Sequence, residues 1–355
     1  VPRRARTTGG GRRMKKWQKG LVYSVLVLGV VLTAGITATI GWRPFIGPKA
    51  RPLTDRRFEA TPARLERGRY LATSGGAPCV LCHSELKASG EQVSVVPGTE
   101  FSGRSWAREG IPFLTAANLT PDPETGIGSW TDDQLARAIR EGISHDGRAL
   151  FPVMQYERFR VMSDEDLASV IVYLRSLAPI KRPDLKKTEI PFPLNRLING
   201  VPQPIEAPVT PDFSTPEKRG GYLATTAVCV DCHSPMDAQG NRTPGMEFAG
   251  GTTLMLEGWK PAASANLTPA VNGIGAYYTE ELFLETIRTG RVRERKLNDM
   301  MPWQVYRNMT DQDLKDIFAY LKSLKPIDHF VDNSMEPTDC AKCRLKHGGG
   351  SRNKA

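Results

Sequence analysis

The pentapeptide Cys79-Val80-Leu81-Cys82-His83 recurs 150 residues later as Cys229-Val230-Asp231-Cys232-His233. The recurrence extends beyond the motif. Arg67-Gly68-Arg69-Tyr70-Leu71-Ala72-Thr73 returns as Arg219-Gly220-Gly221-Tyr222-Leu223-Ala224-Thr225, Ala117-Asn118-Leu119-Thr120-Pro121 as Ala265-Asn266-Leu267-Thr268-Pro269, and Gly126-Ile127-Gly128 as Gly273-Ile274-Gly275. The stretches keep their order, so the chain is one unit written twice, and any fold given to one copy must serve the other.

The chemistry of the motif follows from its spacing. Two thiols three residues apart lie on one turn of helix-like backbone, where each can add to a vinyl group of one porphyrin while the adjoining imidazole binds iron. A disulfide or zinc site at each cysteine pair is the alternative, and it leaves the histidine directly after the second cysteine unexplained in both copies. The chain therefore reads as carrying two covalently bound haem c groups, held by Cys79 and Cys82 and by Cys229 and Cys232, with His83 and His233 on iron.

The other face of each iron needs a ligand. Aligning Met154-Gln155-Tyr156 with Met301-Pro302-Trp303 puts Met154 opposite Met301, each eight residues before a second methionine and a helix start. These two are the distal ligands by this reading. Met162, Met309, Met246 and Met255 read as flexible core filler. Met300 is a rival to Met301, and His145, nine residues before Met154, is a rival without a counterpart in the second copy. A thioether opposite histidine raises the potential and fills the sixth position, which favours electron transfer over peroxide or oxygen chemistry.

Helical patterning surrounds these motifs. Leu167, Val170, Ile171, Leu174 and Leu177 match Leu314, Ile317, Phe318, Leu321 and Leu324, each set tracing one helical face. Ser163 and Thr310 stand as N-caps, and Pro179 and Pro326 follow the ends. A middle helix starts at Thr131, with Gln134 three residues on, and its counterpart runs over 279–289. Both Asn-Leu-Thr stretches match the glycosylation sequon, but a repeated loop beside a haem explains them better.

Taken together, an early CxxCH, the Asn-Leu-Thr-Pro and Gly-Ile-Gly loop, a methionine before the last helix, and Tyr173-Leu174 or Tyr320-Leu321 within it resemble class I cytochrome c domains. The tandem form is similar to bacterial membrane-anchored dihaem cytochromes and to the cytochrome subunits of alcohol and gluconate dehydrogenases. The resemblance covers roughly residues 63–330. It implies an all-α fold of two tandem class I cytochrome c domains after a single N-terminal transmembrane helix. It also implies that Tyr70 and Tyr222 pack against the last helices of their own modules and that Trp130 and Tyr277 reach a haem propionate. An ordinary place in the aromatic core is the alternative for Trp130 and Tyr277.

Residues 20–42 form 23 consecutive uncharged residues, enough to span a bilayer with some tilt. Residues 1–19 carry eight Lys or Arg and no acid, so the positive-inside rule holds this end in the cytoplasm and sends the repeats into the periplasm or its equivalent. A cleaved secretory signal is the alternative. Trp17 and Trp42 suit the two interfaces of a retained anchor, and Met14-Lys15-Lys16 resembles a more usual start than Val1. Removing the tail's eight charges from the formal +10 leaves +2, so no nucleic-acid footprint remains.

The expected organisation is a basic tail (1–19), an anchor (20–42), a first domain (63–180), a linker (181–214), a second domain (215–330) and a tail (331–355). Nine prolines between residues 178 and 216 argue for an extended, semi-rigid spacer. Apoprotein should be poorly folded, because each module lacks much of its core without haem. In the tail, Cys340 and Cys343 are followed by His347 four residues later, which does not fit a third normal haem. A local disulfide, a metal site and an atypical attachment stay open, and three ligands are one short of a closed zinc site. His329 is read as a cation complementing a helix end, and Gly348-Gly349-Gly350 as a mobile terminus.

The expected function is electron relay at the membrane, from a dehydrogenase or quinol-oxidising complex to a soluble cytochrome or terminal reductase. A dihaem peroxidase and an obligate cytochrome subunit of a membrane-bound dehydrogenase are the alternatives.

Overall fold

The apolar run near the N-terminus forms helix α1 (Lys16–Ala38), with no buried residue, in a computed structural model that describes residues 14–89, 92–108, 110–237, 242–254, 261–298 and 300–354. Most of the basic tail (1–13) and Met255 lie outside these residues. At 23 residues α1 is about 35 Å long. It starts and ends about four residues earlier than the uncharged run. Thr37 and Thr39 turn their hydroxyls back onto the carbonyls of Thr33 and Gly35, and the chain reverses at Gly41 (φ 67°).

After a short turn, α2 (Arg43–Ile46), an extended strap runs onto the first repeat. Arg51 clamps it there, donating to both oxygens of Asp133 at 2.7 Å and to Glu141 at 2.9 Å. The backbone N–H groups of Thr54 and Phe58 donate to Asp133 and Asp132. The Asp133 and Glu141 side chains are buried, at 0 % and 2 % exposure. The strap is therefore fastened to the repeat instead of hanging free.

Each repeat is framed by a first and a last helix that cross closely: α3 (Pro62–Thr73) on α7 (Asp164–Ser176), and α9 (Pro216–Thr226) on α13 (Asp311–Ser323). The crossing requires glycine. A Cβ on Gly68 would lie 1.9 Å from the Ser169 carbonyl oxygen, and one on Gly220 1.8 Å from that of Asp316. Between these helices come the CxxC turns α4 (Cys79–Cys82) and α10 (Cys229–Cys232), the middle helices α5 (Asp132–Glu141) and α11 (Glu280–Thr289), and short turns α6 (Tyr156–Phe159) and α12 (Trp303–Tyr306). Thr131 forms the full capping box with Gln134, while Ser163 and Thr310 each accept the N–H three residues on. Two apolar clusters result. One holds Leu71, Leu135, Leu167, Val170, Ile171 and Leu174, and the other Leu223, Ile287, Leu314, Ile317, Phe318 and Leu321.

The all-α expectation needs correction. Helices are the dominant regular structure among the described residues, but these also include five two-stranded antiparallel hairpins: β1 (Leu86–Ser89) with β2 (Gln92–Val95), β3 (Arg104–Arg108) with β4 (Ile111–Ala116), β5 (Thr253–Leu254) with β6 (Ala262–Ala263), β7 (Arg291–Val292) with β8 (Arg295–Lys296), and β9 (Pro337–Asp339) with β10 (Lys346–Gly348). Two to six residues give too few alternations to stand out against the long helical stripes.

The linker is extended, yet pinned along the first repeat. Glu189 N–H donates to Phe113 O, Arg182 pairs with Glu85, and the Asp164 N–H donates to Val209 O. Its one helical piece, α8 (Leu194–Leu197) with the 3-10 turn Ile198–Gly200, packs on α2, which follows α1 in the chain. The glycine-rich end is also folded: the Gly348 backbone packs against the Asp332 carbonyl, and Asn353 is buried with its amide on Thr338 and His347.

Tyr70 and Tyr222 make their polar contacts across the two repeats, not within their own. The Tyr70 hydroxyl donates to Asp313 at 2.5 Å and accepts from the Thr310 N–H, both at the start of α13. Reciprocally, Tyr222 donates to Asp166 at 2.6 Å and accepts from Ser163 N–H at the start of α7. Each buried aspartate is charge-paired from its own repeat, Asp166 by a forked Arg67 and Asp313 by Arg219, which also reaches Asp316. A pseudo-twofold polar seam thus joins the repeats.

These contacts can be tested by substitution and by pH. R51Q leaves Asp133 and Glu141 buried without their main countercharge and should cost about 3 kcal/mol, read as an earlier denaturant midpoint by circular dichroism; an unchanged midpoint contradicts the clamp. Burial, reinforced by Asp313, pushes Tyr70 up to about 12, and burial beside Asp166 also raises Tyr222. Free tyrosine ionises near about 10. The seam is therefore at full strength below that pH and weakens as pH climbs toward the folded value, because the separated state then gains ionised tyrosine. Thermal melts from about pH 9 to 12 should show this slope and lose part of it in Y70F/Y222F; equal slopes contradict it.

Candidate functional site

In both repeats the CxxC stretch forms a single helical turn closed by the histidine N–H on the first cysteine's carbonyl, at 2.9 Å for His83 and 3.0 Å for His233. The imidazole is then oriented by the repeated Ala-Asn-Leu-Thr-Pro loop. His83 Nδ1 bonds to the Ala117 carbonyl at 2.7 Å and His233 Nδ1 to that of Ala265 at 2.8 Å. A carbonyl can only accept, so Nδ1 carries the proton and Nε2 is left as the ligand atom. Burial lowers His83 to about 4 and lowers His233 as well, which keeps both rings neutral and able to bind iron.

The thiols of Cys79, Cys229 and Cys232 are partly buried, while Cys82 lies at the surface. Burial pushes Cys79 and Cys229 up to about 12 and Cys232 up to about 11. A disulfide-exchange pair needs the opposite shift, toward thiolate. Zinc is also disfavoured here. Among the described residues one cluster of three or more His, Cys, Asp or Glu gathers its ligand atoms on a point, and it lies in the C-terminal tail. Oily walls, neutral thiols and a preset imidazole are what a porphyrin requires, so the residues fit haem.

The methionines lie on the same clusters as the cysteines. Cys79 and Met154 both pack against the first cluster, and Cys229 and Met301 both pack against the second. Equivalent bonds set their backbone, Met154 N–H to Phe151 O and Met301 N–H to Asn298 O, each 3.0 Å. The aromatic residue two positions on is held by the end of the middle helix. Gly142 (φ 73°) and Gly290 (φ 69°) adopt the left-handed conformation, and a Cβ there would strike the rings of Tyr156 and Trp303. Met162 and Met309 are core residues, 1 % and 2 % exposed. Met309 also reaches the neighbouring repeat, with its side chain against Gly75.

Several site residues carry no obvious sequence signal. Phe101 and Phe248 are buried at positive φ (61° and 62°), donate their N–H to the hydroxyl of Ser84 or Ser234, and stack edge-on against Tyr173 and Tyr320. They brace the loop behind each histidine. Val228, at φ 56° immediately before Cys229, is a β-branched residue in a disfavoured conformation, and its side chain packs into the first repeat's cluster. The Asn-Leu-Thr asparagines are buried and bond their own threonines. Trp130 sits just before the cap of α5, and the equivalent place before the cap of α11 is held by Tyr278; Tyr277 is 42 % exposed beneath Arg293. His145 is exposed and stacks on Trp130, with ring centroids 4.4 Å apart.

One further placement differs from the sequence expectation. His329 does not complement a helix end: it is buried, 1 % exposed, six residues beyond α13, beside Cys340, Cys343 and His347. The two CxxC turns also lie near one another. Cys82 lies within electrostatic reach of Cys232 and Tyr306, Arg158 pairs with Asp231 inside the second motif, and α6 packs on α9.

The cytochrome c family profile matches residues 217–325. A nicotinate dehydrogenase subunit of Pseudomonas putida is 32 % identical over 289 residues, which cover 76 % of this chain and 21 % of that protein. The cytochrome c subunit of the quinone alcohol dehydrogenase of Gluconacetobacter polyoxogenes is 30 % identical over 332 residues, covering 82 % and 67 %. A diheme cytochrome c-type protein of Cereibacter sphaeroides is 29 % identical over 313 residues, covering 85 % and 97 %. The chain thus spans about a fifth of the first relative's length and two thirds of the second's. With a neutral, carbonyl-oriented histidine beside each thiol pair and with these relatives, the chain belongs to the cytochrome c family of haem-binding electron-transfer proteins.

Proposed function

We propose that the chain is a dihaem electron carrier of two tandem class I cytochrome c domains, residues 63–180 and 215–330, joined by 181–214, anchored by 20–42 and followed by the tail 331–355. In this reading Cys79 and Cys82 attach one haem c, and Cys229 and Cys232 the other. His83 with Met154, and His233 with Met301, are the axial ligands. Each bound haem supplies a one-electron iron couple, whose potential the methionine raises. The protein's part is to fix Nε2 through the Nδ1 bond, to surround the site with apolar side chains that keep water out, and to fill both axial positions.

The observation that carries the reading is the recurrence, in each repeat, of a thiol pair and a methionine on one apolar cluster with a carbonyl-tethered histidine between them. Filled axial positions favour relay over a peroxidase. The polar seam and the nearness of the two CxxC turns support the two sites working as one unit.

Helix α1, without a buried residue, and the basic segment before it support a membrane anchor with the domains on the periplasmic side. The strap clamped by Arg51 would then hold the first domain close to the membrane. Relatives named as dehydrogenase subunits support a membrane-bound dehydrogenase as electron donor, with a soluble cytochrome or terminal reductase downstream. Trp130 and Tyr277 remain the proposed propionate contacts, and Tyr278, equivalent to Trp130, joins them.

The test is the pair of variants M154A and M301A in the full-length protein. Each should abolish the methionine-to-iron charge-transfer band of one haem, lower that haem's potential, and open it to carbon monoxide while the other stays closed. Ready carbon monoxide binding by the unaltered protein, or variants indistinguishable from it, would contradict the ligand assignment. Co-purification of a dehydrogenase from detergent would test the donor.

A further inference from the structure

The C-terminal tail, unused by the electron-transfer reading, completes a cluster of four soft or borderline metal ligands. His329, Cys340, Cys343 and His347 are all buried, between 1 % and 3 % exposed, with ligand atoms all within 4.8 Å of one another. Cys340 and Cys343 are not joined as a disulfide. The fourth ligand that Cys340, Cys343 and His347 lack on their own is His329, brought in from the segment after α13.

The imidazole geometry points to a cation. His329 Nδ1 bonds the Ala249 carbonyl at 2.8 Å and His347 Nδ1 that of Gly348 at 3.0 Å. Both Nδ1 atoms must therefore carry protons, which leaves two Nε2 lone pairs facing each other at 3.0 Å. The ring planes meet at 86°, and Cys340 Sγ lies 3.5 Å from His329 Nε2. One thiol proton could satisfy one of these nitrogens, but not the convergence of all four groups. A tetrahedral zinc ion with Zn–N of about 2.0–2.1 Å and Zn–S of about 2.3 Å has N–N edges of roughly 3.3 Å and N–S edges of roughly 3.6 Å. The observed separations are close to these.

The local backbone is also built for the purpose. The two cysteines occupy the turn between β9 and β10, closed by Arg344 N–H on Cys340 O and by Cys340 N–H on Leu345 O, with Arg344 at φ 63°. Both histidines have carbonyl partners on the non-ligating nitrogen, the usual outer-shell arrangement of a metal-bound imidazole.

We propose that His329, Cys340, Cys343 and His347 bind one structural zinc ion in a closed Cys2His2 site. Its role is mechanical. Ala249, which receives His329 Nδ1, precedes Gly250, whose N–H donates to His233 O at 2.8 Å. The amide of Asn266, next to Ala265, donates to His329 O at 3.0 Å. A Cβ on Gly251 would lie 2.6 Å from His329 Cε1, so the same loop rests on the ring. Zinc thereby clamps residues 327–354 onto the loops that orient His233. The cluster lies apart from both CxxCH motifs and forms without regard to their ligation.

The experiment is elemental analysis of the full-length protein in detergent, purified without metal-affinity resin or chelators. About one zinc per chain is expected in addition to haem iron. X-ray absorption at the zinc edge should give two sulfur and two nitrogen neighbours. C343S and H329Q should each reduce zinc at least about tenfold. Because such variants could misfold, the unaltered protein decides. Less than about 0.1 zinc per chain, an intact mass lighter by two protons with a Cys340–Cys343 disulfide, one non-haem iron in place of zinc, or a zinc shell without sulfur would each overturn the proposal.

Discussion

The bond from each motif histidine to a loop carbonyl governs the rest of its repeat. It fixes which nitrogen carries the proton, and so which one is left free to bind a metal. It also makes the Asn-Leu-Thr-Pro loop part of the site through its backbone. The loop in turn is tied down by the buried asparagine, whose Oδ1 accepts from the threonine two residues on and whose amide reaches the segment after the last helix. Displacement of the loop would free the imidazole, and burial alone would keep it neutral without aiming it.

The second level of organisation is the seam between repeats. Each tyrosine inserts its hydroxyl at the start of the other repeat's last helix, where an exposed N–H and an arginine-paired aspartate await it. Both halves of the seam depend on the same residue types in both copies, so a duplicated unit can pair with itself about a pseudo-twofold axis. Two buried aspartates paired with arginines, Asp166 with a forked Arg67 and Asp313 with an Arg219 shared with Asp316, contribute orientation more than net stability. The arrangement brings the CxxC turns near one another, and the Arg51 strap ties the first repeat to the segment that follows α1.

Legibility in the sequence follows the range of the interaction. The CxxC turns, the N-caps at Thr131, Ser163 and Thr310, and the stripes of the last helices are set by contacts three or four residues apart, and the residues themselves announce them. The methionine positions emerge from comparing the copies. What escapes is long-range or anonymous. Ala117 and Ala265 act through carbonyls that any residue would supply. The rings of Tyr70 and Tyr222 pack in their own modules' clusters as the resemblance implies, but their hydroxyls reach the other repeat, because nothing in a linear pattern distinguishes a partner helix from its twin. His329 reads as an isolated cation; only the hairpin that returns His347 to it reveals a cluster. Arg51 lies 82 residues from Asp133 and gives no signal. The short hairpins have too few alternations to compete with helical periods.

Electron paramagnetic resonance of the fully oxidised, full-length protein, with spins counted per chain, tests the central claim most directly. Two low-spin ferric signals per chain, with no high-spin component, are expected from two sites each closed by histidine and methionine. A single spin, or a high-spin ferric signal from a position open to water, would contradict it.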